Sequence, residues 1–335
     1  MPDGIAPGPT AGREGLLGSH TWMPSVGYGA ANLGNLYREV SEEQAVLAVD
    51  AAWDAGIRYF DTAPHYGLGL SERRLGAALH ERPRDEFVLS TKAGRLLRPN
   101  PEGTGTLDTA ADFVVPADQK RVWDFSADGI RRSLEESLTR LGLDRVDILY
   151  LHDPERHDLD AALDTAIPAL AALRDEGVVA AIGVGSMSTA ALERTAATGA
   201  LDLIMVAGRY TLAEQPVTDR VLPACEANGV GIVVASVFNS GLLATDQPGL
   251  MARYDYGPVP AALLDHVQEI AGVCAEHGVA LPAAALQYPL RDPLVRSVVT
   301  ASARPEQVRQ NAEWMAAPIT HALWADLAER GLIPE

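Results

Sequence analysis

The chain has 335 residues, 47% apolar and 21% charged, an ordinary globular balance with enough apolar surface for one large core. Twenty-seven Lys and Arg stand against 45 Asp and Glu, and the resulting charge of −18 would repel a phosphate backbone, which excludes nucleic acid as a partner. The two cysteines, Cys225 and Cys274, lie far apart in helical stretches and are expected as buried free thiols; they support neither a disulfide scaffold nor a thiolate metal site. The sequence has no run of about eighteen apolar residues and no basic-then-apolar leader pattern, so the expectation is a cytoplasmic protein without a membrane partner.

Residues 1–14 are rich in Pro, Gly and Ala and lack an apolar period, which predicts a disordered tail ahead of one domain over 15–335. Val26 to Ala30 is the first strand candidate. Ser41 opens a helix with Gln44 at capping-box spacing, Val46, Val49 and Trp53 follow at helical intervals, and Gly56 stops it. Tyr59 and Phe60 form a second strand that runs into Asp61, a Thr-Ala-Pro break, His65 and Tyr66. A helix from Ser71 leads to the strand Phe87–Thr91, which ends in Lys92.

Residues from about 95 to 125 break the rhythm with Pro and Gly and sustain no period. That length inside a compact domain is expected of a substrate-covering loop. Ser126 reopens helix, with Ile130, Leu134, Leu138 and Leu141 as its stripe, and Val146–Leu151 is a strand closed by His152. Alternation then continues: helix Asp160–Glu176, strand Ala180–Val184, helix Thr189–Thr198, strand Leu203–Val206, helix Val217–Asn228, strand Ile232–Ala235. Two helices, Ala261–Glu276 and Pro282–Gln287, precede the strand Ser297–Thr300 and a helix from Pro305.

Short apolar strands separated by amphipathic helices predict a parallel α/β sheet, and eight such units fit a single-domain (β/α)8 TIM barrel. A doubly wound sheet is the alternative, but it would carry a Gly-rich turn after its first strand, and Gly27-Tyr28-Gly29 lacks the third glycine. GxSxG, HExxH and CxxC motifs are also missing.

In such a barrel the ends of neighbouring strands meet at one rim, so Asp61, Tyr66, Lys92 and His152 are expected together. A free tyrosine ionises near pH 10, and a neighbouring ammonium is expected to lower that value while a carboxylate holds the lysine in place. Tyr66 would exchange a proton, Lys92 tune it, Asp61 anchor the lysine, and His152 hydrogen-bond the reacting oxygen. Taken singly, an aspartate at a strand end is more often a loop cap, and a buried Lys–Asp pair or a buried histidine is more often structural; the joint pattern carries the reading. Two other classes stay open on these residues: a metal-dependent hydrolase using Asp61, His65, His152 and Asp153, and a non-catalytic nucleotide-sensing barrel. No metal is expected under the first reading.

Those four residues, with DTAPHYGLGLSERRLG (Asp61–Gly76), the stretch from Asp124 to Pro154 and ALQYPL (Ala285–Leu290), resemble the aldo-keto reductase superfamily over about Val26 to Met315. Within it they are most similar to the aldose 1-dehydrogenase branch, which includes L-fucose and D-threo-aldose dehydrogenases; pyridoxal 4-dehydrogenases are similar too. The resemblance implies oxidation of a galactose-type or related aldose at its anomeric carbon to a lactone, with NAD or NADP as cofactor. His65, Trp123 and Phe125 would face the sugar. Pyridoxal oxidation and general aldehyde or ketone reduction are the alternatives, and the assembly would be a monomer or homodimer.

The cofactor contacts implied are Gly29 and Ala30, Ser186, Arg209, the segment Ser236, Phe238, Asn239, Ser240 and Gly241, and Ser302, Arg304, Gln307, Gln310 and Asn311. The family commonly reads I-G-V-S-N after strand five, where this chain has Ile182-Gly183-Val184-Gly185-Ser186. Its usual glutamine after strand six and tyrosine after strand seven fall near Ala207 and Ala235. The basic pair that clamps a 2′-phosphate corresponds to Ala301 and Gln307, which favours NAD, with Arg304 near enough to serve NADP.

Overall fold

The structure, a computed structural model, describes residues 23–249, 253–255 and 257–334; the expected disordered tail lies outside them. Eight parallel strands close a barrel: β1 (Val26–Gly29), β2 (Tyr59–Asp61), β3 (Val88–Ala93), β4 (Ile148–His152), β5 (Ala181–Ser186), β6 (Leu203–Ala207), β7 (Gly231–Ala235) and β8 (Val295–Thr300), with β8 pairing back to β1. The helices between them are α1 (Glu42–Asp54), α2 (Leu70–Leu79), α3 (Ala127–Leu141), α4 (Ile167–Asp175), α5 (Thr189–Ala196) and α6 (Val221–Asn228). After β7 come α7 (Ala261–Glu276) and α8 (Leu281–Gln287), and after β8 come α9 (Pro305–Ala316) and α10 (His321–Glu329).

Each strand divides its side chains between two cores, because successive residues point to opposite faces. Tyr59, Val88, Ile148, Tyr150, Ala181, Leu203, Met205, Val233 and Val299 fill the barrel, with Met23 beside them. Their neighbours Phe60, Leu89, Leu149, Ile182, Ile204, Ile232 and Val298 join the larger core between strands and helices. The same alternation, carried to the C-terminal strand ends, puts Asp61, Lys92, His152, Gly185, Ala207 and Ala235 on the inward parity. One side of the mouth thus carries ionisable groups, and the other carries Gly185, Ala207 and Ala235, which leave it open.

Local sequence sets several boundaries. Ser41 Oγ accepts from the Gln44 amide at 3.1 Å, and Ser126 Oγ from the Gly129 amide at 3.0 Å, capping α1 and α3. Val46 is exposed, although its spacing matched the buried stripe of α1. The helix expected over 160–176 is interrupted: Ala162–Ala166 is a π turn, and Pro168, which cannot donate to the ladder, sits in the first turn of α4. Cys225 and Cys274 are buried and free on α6 and α7.

The largest departure is the stretch read as an irregular loop. Arg95–Pro99 and Gln119–Trp123 form an antiparallel hairpin, registered from Arg95 against Trp123 to Pro99 against Gln119. Leu97, Phe113, Val115 and Leu68 make a small core of their own beneath it. The second strand reads Gln-Lys-Arg-Val-Trp and alternates half-buried Gln119, Arg121 and Trp123 with exposed Lys120 and Val122, so burial does not follow polarity and no apolar period shows.

Candidate active site

A buried chain of polar contacts starts inside the barrel and ends at its mouth. Tyr59 and Ser90 share a hydrogen bond of 3.0 Å between hydroxyls, Ser90 Oγ donates to Asp61 Oδ1 at 2.7 Å, and Lys92 Nζ donates to Asp61 Oδ2 at 2.6 Å and to the Thr62 carbonyl at 3.0 Å. Neighbouring strands bring these together, since Asp61 pairs with Ser90 across β2 and β3. The ammonium of Lys92 lies 4.8 Å from the centre of the Tyr66 ring, and that ring meets His152 edge to face at 5.7 Å. All four expected side chains therefore converge.

Tyr66 reaches this point from a tight turn after β2, where its amide donates to the Ala63 carbonyl at 3.1 Å. The following residue, Gly67, has φ +61°, and a Cβ there would stand 2.2 Å from the Gly34 oxygen. Only glycine fits that close approach of two loops.

Electrostatics at the mouth follow from burial and three arginines. Burial pushes the His152 imidazole well below its usual range, and the charges of Arg95 and Lys92 push the same way, so it is a neutral ring. His65 is lowered to about 2 by burial together with Arg95, Arg121 and Arg156. Lys92 would be lowered by burial, but Asp61 and Tyr66 outweigh it and raise it, keeping the ammonium charged. Tyr66 departs from the sequence expectation: burial of the phenol pushes it up, and Lys92 opposes that shift without reversing it. The phenol keeps its proton in the free protein.

The substrate-facing candidates surround the same opening. His65 packs edge to face on His152 at 5.5 Å and on Phe113 at 5.5 Å. Trp123, at the end of the hairpin, stacks on His157 at 5.3 Å with planes 4° apart, and Phe125 closes the cluster at 5.8 Å from Trp123. Two residues that the sequence reading left out of its sugar site join them. Arg95 stands 4.4 Å over Trp123 and bonds Asp153 Oδ2 at 2.7 Å, and that oxygen lies 3.7 Å from His152 Nε2. Their signal was position, Asp153 directly after His152 and Arg95 three places after Lys92. Among the described residues no three His, Cys, Asp or Glu side chains gather as ligands for a metal ion.

The proposed cofactor positions fall on the loops after β1, β5, β6, β7 and β8. Gly29 ends β1, where a Cβ would come 3.0 Å from Val299; Ala30 is fully buried and its carbonyl accepts from Ser71 Oγ. A Cβ on Gly185 would lie 3.9 Å from Lys92 Cε, so the end of β5 borders the tetrad, and Ser186 follows with its hydroxyl donated to Glu155 Oε1 at 2.7 Å. After β7, Ser236, Asn239 and Ser240 all take left-handed backbone, Phe238 packs on Trp314, and Gly241 ends a 3-10 turn. Arg209 is engaged elsewhere, bonded to Asp255 at 2.5 Å and to Glu214 at 3.3 Å. Beyond β8, Ser302 Oγ donates to Gln307 Oε1 at 2.6 Å, Gln310 bonds Glu313, Asn311 is buried, and Arg304 is exposed.

Similarities to known proteins follow the same outline. Over 327 residues the chain is 61% identical to a D-threo-aldose 1-dehydrogenase from a Pseudomonas species, covering 97% of this chain and 98% of the relative. A pyridoxal 4-dehydrogenase from Microbacterium luteolum is 37% identical over 339 residues, 96% of each chain. An aldo-keto reductase structure from Bacillus halodurans superposes with a TM-score of 0.70 at 24% identity, covering 92% of both chains, and so shares the fold. The model of the aldo/keto reductase family matches residues 25–330, the whole barrel from its first strand through α10, and the chain belongs to that family.

Proposed function

We propose that this enzyme is an NAD(P)-dependent aldose 1-dehydrogenase that oxidises a sugar of the D-threo-aldose, L-fucose or galactose type to its lactone. What carries the reading is the convergence of Asp61, Lys92, Tyr66 and His152 at one rim of the barrel, in a chain that is 61% identical to a D-threo-aldose 1-dehydrogenase.

The side of the mouth formed by Gly185, Ala207 and Ala235 leaves room for a flat ring beside Lys92, and Ser186, the 236–241 segment and the loop after β8 would hold the rest of a dinucleotide. When bound, the oxidised nicotinamide supplies the acceptor for the hydride that leaves the anomeric carbon. The protein's own residues deal with the hydroxyl. Neutral His152 donates or accepts a hydrogen bond at the sugar oxygen and fixes its orientation, while Tyr66 takes the hydroxyl proton as the C–O bond gains double-bond character. Lys92 stabilises the phenolate needed for that transfer, and Asp61 keeps the lysine charged and in place. His65, Trp123 and Phe125, together with the Arg95–Asp153 pair, would line the sugar's remaining face.

NAD is the favoured cofactor, because Ala301 and Gln307 bring no charge to a 2′-phosphate, and Gln307 is already bonded to Ser302. We further propose that the enzyme works in the cytoplasm as a monomer or homodimer. Among the described residues no helix is long and apolar enough to cross a membrane. The test follows formation of reduced nicotinamide with NAD or NADP and a panel of L-fucose, D-arabinose, L-galactose, D-galactose and pyridoxal. Reduced NAD with a sugar is the expected result. Signal with pyridoxal alone would replace the sugar assignment, and a stronger signal with NADP would overturn the argument from Ala301 and Gln307.

A further inference from the structure

The turn after β4 brings a carboxylate to the end of β5 that the catalytic set does not use. Asp153 donates its amide to the Gly185 carbonyl at 2.8 Å, which docks the start of the turn on β5, and Glu155 follows within a single 3-10 turn, Pro154–Arg156. Glu155 Oε1 accepts the Ser186 hydroxyl at 2.7 Å, and Ser186 Oγ in turn accepts the Ser188 amide at 2.8 Å. The serine hydroxyl has thus given its only proton and keeps one acceptor lone pair free. Glu155 Oε2, by contrast, is buried and has no hydrogen-bond partner among the described residues. A buried carboxylate oxygen without a donor is costly, and such an atom is expected where a ligand completes it. The neighbouring inward positions, Gly185, Ala207 and Ala235, bring no polar side chain to this side of the mouth.

We propose that Glu155 is a cofactor-positioning residue whose Oε2 accepts the amide N–H of the nicotinamide carboxamide, so that its negative charge stands beside the ring and favours the positive oxidised form over the neutral reduced one. The proposal rests on the nicotinamide reading above. Ser186 fixes the carboxylate in place, and its donated hydrogen bond keeps Oε1 an acceptor, consistent with the ionised form. Burial raises the Glu155 carboxyl and the Ser186 hydrogen bond opposes that shift without reversing it, so it is a bound cation nearby that would favour ionisation. A fixed anion next to a ring that is positive before the reaction and neutral after it biases binding toward the oxidised cofactor, the direction a dehydrogenase needs.

The test measures dissociation constants of NAD+, NADH and ADP-ribose by fluorescence titration for the full-length wild type, Glu155→Gln and Glu155→Asp, with the 2′-phosphorylated trio run alongside. The expected result for Glu155→Gln is a loss of NAD+ affinity of about tenfold relative to NADH, with ADP-ribose binding unchanged, and partial recovery in Glu155→Asp. Unchanged ADP-ribose binding also reports that the variant is folded. An unaltered NAD+ to NADH ratio in Glu155→Gln would overturn the role given to Glu155. Equal weakening of all three ligands would overturn it too, since a structural role moves them together. Failure of the wild type to bind any of the six would overturn the nicotinamide reading itself.

Discussion

Gly34 and Gly67 meet backbone against backbone: a Cβ on Gly67 would stand 2.2 Å from the Gly34 oxygen, and one on Gly34 would stand 2.7 Å from the Tyr66 carbonyl carbon. The loop after β1 therefore props the turn that presents the phenol. Gly34→Ala must push the Tyr66 backbone away, and a displacement of about 1 Å costs on the order of a hundredfold in rate. The expected outcome is that loss in kcat with cofactor affinity retained. A variant with wild-type kcat would show that the prop is not needed.

Tyr66→Phe should lower kcat by about 10²- to 10⁴-fold, the usual worth of general acid–base catalysis, and leave cofactor binding nearly intact. Because burial holds the phenol above its ordinary value, oxidation by the wild type should quicken as pH rises through the alkaline range. That rising limb should vanish in Tyr66→Phe, and His152, neutral throughout, should add no limb of its own. A pH–rate profile of both proteins decides each point.

Acid stability should carry the mark of His65. Its folded value is pushed down to about 2, against an unfolded value of about 6.5. The unfolded chain binds the proton more readily, so this contribution is complete above about pH 6.5 and is lost as pH falls from there toward 2. Urea midpoints at pH 7.5 and pH 5 should fall less for His65→Phe than for the wild type. An identical drop in both would assign the acid sensitivity to other groups.

Glu72 is fully buried on α2, where it accepts from Thr91 Oγ1 of β3 at 2.8 Å and from Arg140 Nε of α3 at 2.5 Å. Arg140→Met would strand that charge and should cost about 3–5 kcal/mol. Adding Glu72→Met should restore a large part of the loss, because a buried ion pair replaced whole by apolar groups is often neutral. Chemical denaturation of the single and double variants measures the difference.

Strand ends were the legible part of the sequence. Val146–Leu151 followed by His152, and Phe87–Thr91 followed by Lys92, are short apolar runs that stop at a polar residue, and the parity of a strand then fixes which way that residue points. The hairpin of Arg95–Pro99 and Gln119–Trp123 was not legible, since its first strand buries Arg95 beside Leu96 and Leu97 and its second half-buries Gln119 and Arg121 while exposing Val122, so burial does not follow polarity. Nor was the raised Tyr66 phenol, which depends on how much protein surrounds the ring, a quantity that sequence spacing does not contain. Glu155 was hidden for a related reason, since its neighbour Ser186 lies 31 positions away and the two meet only through the pairing of β4 with β5.

The hairpin leaves the barrel just past Lys92, at Gly94, and returns just ahead of α3, with its own small core of Leu68, Leu97, Phe113 and Val115. It is also tied to the catalytic turn, since Arg121 donates to the His65 carbonyl at 2.8 Å. The segment between its strands carries Phe113, whose ring lies 5.5 Å from His65 and 6.2 Å from Tyr66, so a change in the part that covers the substrate is felt by the ring that moves the proton, and substrate range and proton chemistry evolve together in this scaffold.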